Sequence, residues 1–351
     1  MRSSLCRGRP CRPGVPPSAG AERTINNRVN QLPEQKDIKA VNHGVQVIQI
    51  SELEAGQRLD NYLLRVLSGV PKTRIYKAIR KGEVRINKGR AKPEAKLQTG
   101  DKLRVPPLNQ NQRSTPKAAS HHWTERLREA VVLETDQLLV IDKPSGLAVH
   151  GGSGVTAGLI ETLRLMFPEQ RYLELVHRLD RDTSGLLLVA KRASTLRDLH
   201  TQLRNGQIDK RYQALVCGRW PAHLKRIDAP LERFSLASGE RRVKVSAQGR
   251  PCVTDFSVLR RWRRATLIEA KPITGRTHQI RVHCQHANLS ILGEQKYAMG
   301  DAEGIAETYK VPRLFLHAAS LHFSVDGRRI SVEAPLPTDL HAVCQRLGAP
   351  L

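Results

Sequence analysis

The sequence predicts an α+β protein, in which a small, strongly basic α/β module leads a larger mixed domain whose sheet is mainly antiparallel. Three observations predict it. Helical and strand-like apolar periods alternate within a short stretch ending near residue 106, and a run almost without apolar side chains follows. Beyond residue 130 the apolar runs are short, and those around 253–258, 265–270 and 321–333 succeed one another with no helix between them. Strands joined directly pair antiparallel, whereas a doubly wound parallel sheet needs a crossover helix for each connection.

The 351 residues carry 58 lysines and arginines against 33 aspartates and glutamates, a net charge of +25. The excess is spread through the patterned sequence as well as its start, so it points to a polyanionic partner, nucleic acid above all. No window of about 18 apolar residues occurs, and no membrane partner is expected. Cys6, Cys11, Cys217, Cys252, Cys284 and Cys344 show neither CxxC spacing nor a paired framework, which suits a reducing cytoplasm and offers no zinc site. Residues 1–42 are rich in Arg, Pro, Gly, Ser and Asn and read as a disordered basic extension. Prolines at 10, 13, 16, 17 and 33 would break the amphipathic helix of a transit peptide.

In the basic module, residues 46–106, the stretch Val45–Ile50 alternates as a strand. Leu59, Tyr62, Leu63, Val66 and Leu67 then follow helical spacing. Pro71 opens a second helix that turns Ile75, Ala78 and Ile79 inward and leaves Lys72, Arg74, Lys77, Arg80 and Lys81 outside, with Gly82 as its stop. Val84–Asn87 and Leu103–Val105 read as strands closed by turns at Gly89 and Gly100. Between Gly56 and Arg104 there are 14 lysines and arginines against 4 acids, so the exposed helix face reads as a phosphate-binding surface. A solvated amphipathic hairpin is the plainer alternative. Residues 107–125 read as a flexible linker, and 126–340 as the catalytic domain, with apolar runs at 138–141, 186–189 and 214–216 and helices at 156–167 and 194–204.

The densest chemistry is Val176-His177-Arg178-Leu179-Asp180-Arg181-Asp182-Thr183-Ser184-Gly185. Such a polar run directly before a buried strand places side chains at a cleft, and it carries more charge than a routine turn requires. Three nearby readings fail on spacing. Asp180-Arg181-Asp182-Thr183 is one residue short of a haloacid-dehalogenase-like nucleophile loop, Gly151–Gly154 lacks the Gly-Lys-Ser/Thr of a phosphate loop, and His278, His283 and His286 have no Cys or carboxylate cluster to complete a metal site.

HRLDRDTSG resembles the defining motif of the RluA family of pseudouridine synthases. Asp142-Lys143-Pro144-Ser145-Gly146 with His150, Lys210-Arg211-Tyr212, and Gly275–His283 agree with it in type and order, and the basic module resembles the alpha-L (S-four type) RNA-binding domain. Glu174–Val176 and Ala148–Gly154 are similar to the branch acting on the bacterial large ribosomal subunit. The resemblance implies isomerisation of uridine to pseudouridine in RNA without cofactor or metal, with 23S ribosomal RNA or the pre-ribosomal large subunit as partner. A monomer is expected.

By the same resemblance Asp180 is the catalytic carboxylate, either adding covalently to the sugar or base or removing the proton on ribose carbon 2. Arg281 would be its ion-pair partner, on a helix expected to begin near Thr277 and to carry His278 on the same face; a phosphate-binding role is the alternative. Tyr212 would stack on the uracil, against simple packing in a strand. Arg178 would fill the space left by the extruded base. His177 is grouped with the RNA-binding residues and reads as a structural hydrogen-bonding residue rather than an acid-base catalyst. Transfer RNA as substrate, and a non-catalytic ribosome-assembly factor, stay open at this point.

Overall fold

The structure is a computed structural model that describes residues 44–52, 54–67, 70–108, 121–151 and 157–351. The expected basic extension at 1–42, most of the expected linker, and Gly152–Gly154 lie outside the described residues.

The first part of the fold runs β1 (Gln46–Gln49), α1 (Leu59–Val66), α2 (Lys72–Arg80), β2 (Arg85–Ile86), β3 (Gly89–Arg90) and β4 (Lys102–Val105). Its antiparallel sheet has the order β1-β4-β2-β3. Leu59 and Leu63 from α1 meet Ile75 and Ile79 from α2, with Leu103 from β4, in a core of their own. One buried carboxylate ties the two helices together. Asp60 accepts hydrogen bonds from the Arg58 guanidinium at 3.1 and 2.8 Å and from the Tyr76 hydroxyl at 3.0 Å, and the Arg58 bonds hold its pKa below the usual carboxylate range. Lys72, Lys77, Arg80 and Lys81 are exposed as expected. Arg74 departs from that expectation: it is half-buried and its Nη1 lies 3.0 Å from Glu83 Oε2, because the chain after Gly82 turns back along the helix.

The second part begins with α3 (His121–Glu129), which corrects the expected linker at its end: residues 121–125 are helical. Trp123 and Leu127 carry too thin an apolar period to reveal this, yet Leu127 is fully buried in the main core. There follow β5 (Val131–Glu134), β6 (Leu138–Lys143), α4 (Leu159–Met166), β7 (Glu174–Leu175), β8 (Ser184–Ala190), α5 (Ala193–Arg204), β9 (Asp209–Cys217), β10 (Arg226–Asp228), β11 (Leu231–Ser235), β12 (Arg241–Val245), β13 (Val253–Arg261), β14 (Ala265–Pro272), α6 (Gln279–His286), α7 (Ala302–Thr308), β15 (Leu316–Val325), β16 (Arg328–Glu333) and α8 (Thr338–Arg346). The large sheet runs β10-β13-β14-β9-β15-β8-β6-β5, with β16 added to β15 and β7 to β8. Its pairs are antiparallel except β15 with β8, so the mainly antiparallel α+β reading holds. Apolar clusters line both of its faces, which explains why β8 is buried from end to end. β11 and β12 form a separate two-stranded hairpin.

The parallel junction explains the last residue of the motif. Gly185 lies opposite Ala318 with φ +110°, and a Cβ placed there would stand 2.3 Å from the Ala318 carbonyl oxygen and 2.5 Å from its nitrogen. Both the conformation and the approach demand glycine. Gly185→Ala is therefore expected to cost about 3 kcal/mol or more, read as a loss of the cooperative thermal transition or a drop in its midpoint.

Candidate active site

The motif forms the crossing from β7 to β8, and the polar side chains around it each have a separate task. His177 Nε2 accepts the Leu188 backbone N–H at 3.2 Å. Burial drives the pKa of this ring down to about 3, so it serves as a neutral acceptor that pins the loop to β8, the structural hydrogen bond expected of it, while the residue also lines the cleft. Leu179 is buried in the core. The Thr183 N–H closes a turn on the Asp180 carbonyl at 3.2 Å. Ser184 donates to His317 Nδ1 at 3.0 Å and accepts from Arg313 at 3.2 Å, while His317 Nε2 donates to the Ala334 carbonyl at 3.2 Å.

From the other side, the segment 143–147 clamps the loop. Lys143 is fully buried, and its ammonium gives all three protons to carbonyls: Pro144 and Leu147 at 2.9 Å and Arg181 at 3.0 Å. The Gly146 N–H adds a second bond to the Arg181 carbonyl at 2.9 Å, and Ser145 Oγ donates to the Asp182 carbonyl at 2.7 Å. Burial pushes the Lys143 pKa down to about 7, against the pull of the nearby Asp182 and Asp180 carboxylates, which favour its charged form. The sequence block containing Lys143 was evident; its part as a clamp was not.

Held in this way, Asp180 meets Arg281. Arg281 Nη1 lies 3.4 Å from Asp180 Oδ2, and His278 Nε2 lies 3.8 Å from the same oxygen. The remaining guanidinium nitrogens are gripped by Glu294, Nε and Nη2 each at 2.7 Å, with both side chains almost completely buried. Burial works against the charge on Arg281, but the bonds to Glu294 outweigh it and raise its pKa; in Glu294 burial pushes upward and the bonds from Arg281 bring the net shift below the usual range. Glu294 also accepts the N–H groups of Lys296 and Tyr297, at 2.7 and 3.3 Å. Nothing in the segment around Glu294 and Tyr297 marks these residues in the sequence.

α6 starts at Gln279, two residues later than expected. His278 precedes it in the left-handed region, φ 54° and ψ 20°, so it reaches Asp180 from a turn rather than from the helix face. Gln279 explains the turn: its carbonyl oxygen accepts from Thr274 Oγ1 and the Arg276 N–H, both at 2.9 Å, and its amide donates to the Val253 carbonyl at 2.8 Å. His283, a candidate metal ligand on paper, commits both ring nitrogens to Thr254 and the Ala229 carbonyl.

A cleft of about 680 Å³ joins Asp180, Tyr212 and Arg281, the three expected catalytic residues. Tyr212 comes from the middle of β9 and is almost fully buried; burial, then the nearby Asp180, raises its phenol pKa. Six cationic side chains line the cleft, Arg178, Arg204, Lys210, Arg233, Arg276 and Arg281, and among the described lining residues the carboxylate is Asp180 alone. A neighbouring cavity of about 850 Å³ has Glu129, Asp142, Asp182, Glu294 and Asp339 interspersed with its arginines and lysines. The first is the side a polyanion would approach. The expected cations of α2 belong to the other part of the fold and do not line this cleft.

Glu294→Gln should leave the Arg281 guanidinium buried with half of its partner removed, a loss of about 3–5 kcal/mol, measurable in denaturant. The native carboxylate has a lowered pKa, so its stabilisation is present above the unfolded-state value near 4.3 and lost as pH falls through the folded one; the variant should show a shallower loss of stability in that acid range.

Residues 137–286 match the RNA pseudouridylate synthase family and residues 57–103 the S4 domain. The chain is 50% identical over 319 residues to the ribosomal large subunit pseudouridine synthase C of Pasteurella multocida, covering 90% of this chain and 97% of the relative. Its counterpart in Escherichia coli is 48% identical over 317 residues, 88% of this chain and 99% of that one. Among solved structures, human RNA pseudouridylate synthase domain containing 4 superposes with a TM-score of 0.53 at 25% identity, over 64% of this chain and 95% of that chain. A carboxylate set between a locked arginine and a buried tyrosine, in a cleft made for a polyanion, thus stands in a chain that belongs to the RNA pseudouridylate synthase family.

Proposed function

We propose that this protein isomerises uridine to pseudouridine in 23S ribosomal RNA, with Asp180 as the reactive carboxylate. The observation that carries this reading is the meeting of Asp180, Arg281 and Tyr212 in one cationic cleft. The substrate assignment rests on relatives named for the large ribosomal subunit.

Uridine and pseudouridine contain the same atoms, so the enzyme has to break the bond between ribose carbon 1 and the base nitrogen, turn the uracil, and rejoin it through carbon 5, which loses its proton while the freed nitrogen takes one up. A carboxylate suffices for this, either by adding covalently to the sugar or base or by taking the proton from ribose carbon 2. Arg281, itself held by Glu294, keeps the carboxylate in place. Tyr212 offers the uracil a ring to stack on. The target nucleotide must leave its stack to enter, and Arg178, exposed at the cleft two residues before Asp180, fills the gap with a guanidinium that stacks on bases or binds phosphate.

We assign residues 46–106 as the RNA-docking module, with Lys72, Lys77, Arg80 and Lys81 as its phosphate contacts, and residues 126–340 as the catalytic domain. The protein works as a cytoplasmic monomer on ribosomal RNA or the pre-ribosomal large subunit. Among the described residues no helix is long and apolar enough to cross a membrane.

Release of tritium from RNA labelled at uracil carbon 5 tests the chemistry. Asp180→Asn is expected to abolish release while RNA binding persists; wild-type protein that binds without releasing tritium would make it a binding factor instead. Mapping pseudouridines in a deletion strain separates ribosomal from transfer RNA. Charge reversal at Lys77 and Arg80 should weaken binding and reduce the slope of log affinity against log salt by about 2, with single-turnover rates at saturating enzyme unchanged.

A further inference from the structure

Among the described residues, Arg281 and His278 each bring a side-chain nitrogen within 4 Å of Asp180, and both face the same oxygen. Arg281 Nη1 is 3.4 Å and His278 Nε2 3.8 Å from Oδ2. The histidine is held from behind: its Nδ1 lies 2.7 Å from the Tyr297 hydroxyl, which accepts the Val243 N–H of β12 at 3.0 Å. With that donor supplied from the backbone, the phenolic proton is directed to His278 Nδ1. The opposite tautomer would turn a nitrogen lone pair toward a carboxylate oxygen, which repels it. Burial lowers the His278 pKa, in surroundings that also include Arg281, Lys296 and Glu294, and so favours the neutral ring that this bonding pattern requires. Tyr297 further presents its ring to the Arg281 guanidinium, 5.3 Å from the centroid. One phenol therefore meets both partners of the carboxylate, orienting His278 by a hydrogen bond and lying beside the guanidinium that Glu294 fixes.

The backbone points the same way. Six non-glycine residues have positive φ among the described ones, and of these His278 is the one that lines the cleft beside Asp180.

We propose that His278 is a positioning residue for Asp180: its Nε2–H, oriented by Tyr297, shares Oδ2 with Arg281 and leaves Oδ1 as the atom presented to the nucleotide. This rests on the reading of Asp180 as the reactive carboxylate. When substrate closes the cleft, the 3.8 Å separation shortens to a hydrogen bond, and the carboxylate can no longer rotate its second oxygen away from the ribose.

The test compares His278→Asn, His278→Gln, Tyr297→Phe and Asp180→Asn in the tritium-release assay on the full-length chain, with RNA binding and melting recorded for each. Asparagine tolerates the left-handed backbone and keeps a polar group near Nδ1 but cannot reach Asp180; glutamine places its amide nitrogen close to the position of Nε2. His278→Asn is expected to lower kcat by about 10- to 100-fold with KM within about twofold, His278→Gln to recover most of that loss, and Tyr297→Phe to fall between them. A His278→Asn enzyme with wild-type kcat, or Gln and Asn variants equally impaired, overturns the proposal. If Asp180→Asn still releases tritium, the reading of Asp180 itself fails; if it is inactive while His278→Asn is fully active, only the role of His278 fails.

Discussion

The buried ion pair between Arg281 and Glu294 is the constraint on which the rest of the site depends. A guanidinium that is almost fully enclosed is tolerated only when its hydrogen-bonding edges are occupied, and Glu294 occupies two nitrogens at 2.7 Å. A flexible arginine is thereby fixed in one direction, with Nη1 toward Asp180. The same carboxylate accepts the N–H groups of residues 296 and 297, so the loop after α6, the helix itself and the crossing before β8 are joined through one planar cation. Rigid placement is what a fork of five donors provides and a lysine would not.

Around that pair the fold spends buried polar groups on position. In the motif, His177, Thr183 and Ser184 bond to the backbone or to neighbouring side chains, Leu179 fills the core, and Gly185 lets two strands approach. Lys143 completes the arrangement from below the surface, a buried ammonium bonded to three carbonyls. Arg178 and Asp180 are left facing the cleft. Fixing the surroundings so that a single carboxylate needs no rearrangement is the general way in which a site lowers the cost of chemistry.

Much of this could be read from the chain because the informative residues are contiguous. The β8 run and the motif before it announce a loop entering a buried strand, and the directly connected late strands announce antiparallel pairing. Asp180, Tyr212 and Arg281, chosen by motif, do converge. What escaped reading depends on partners distant in sequence. Glu294 and Tyr297 sit in a segment without periodicity. His278 seemed to belong to a helix because a left-handed residue looks no different in one-letter code. Arg74 seemed free because its partner, Glu83, becomes its neighbour only after the chain turns. The first turn of α3 looks like linker in the sequence because its apolar anchors to the core, Trp123 and Leu127, are so few.

The distribution of charge in the cleft has a further bearing on selectivity. A nucleotide is a neutral base and sugar strung between anionic phosphates. Five cationic side chains besides Arg281 line the cleft, and among its described lining residues Asp180 is the one carboxylate, so the positive walls attract the phosphates while the carboxylate repels them. Only the uncharged nucleoside can approach the carboxylate closely. The electrostatics thus favour a strand whose phosphates rest on the walls, before any base edge is recognised.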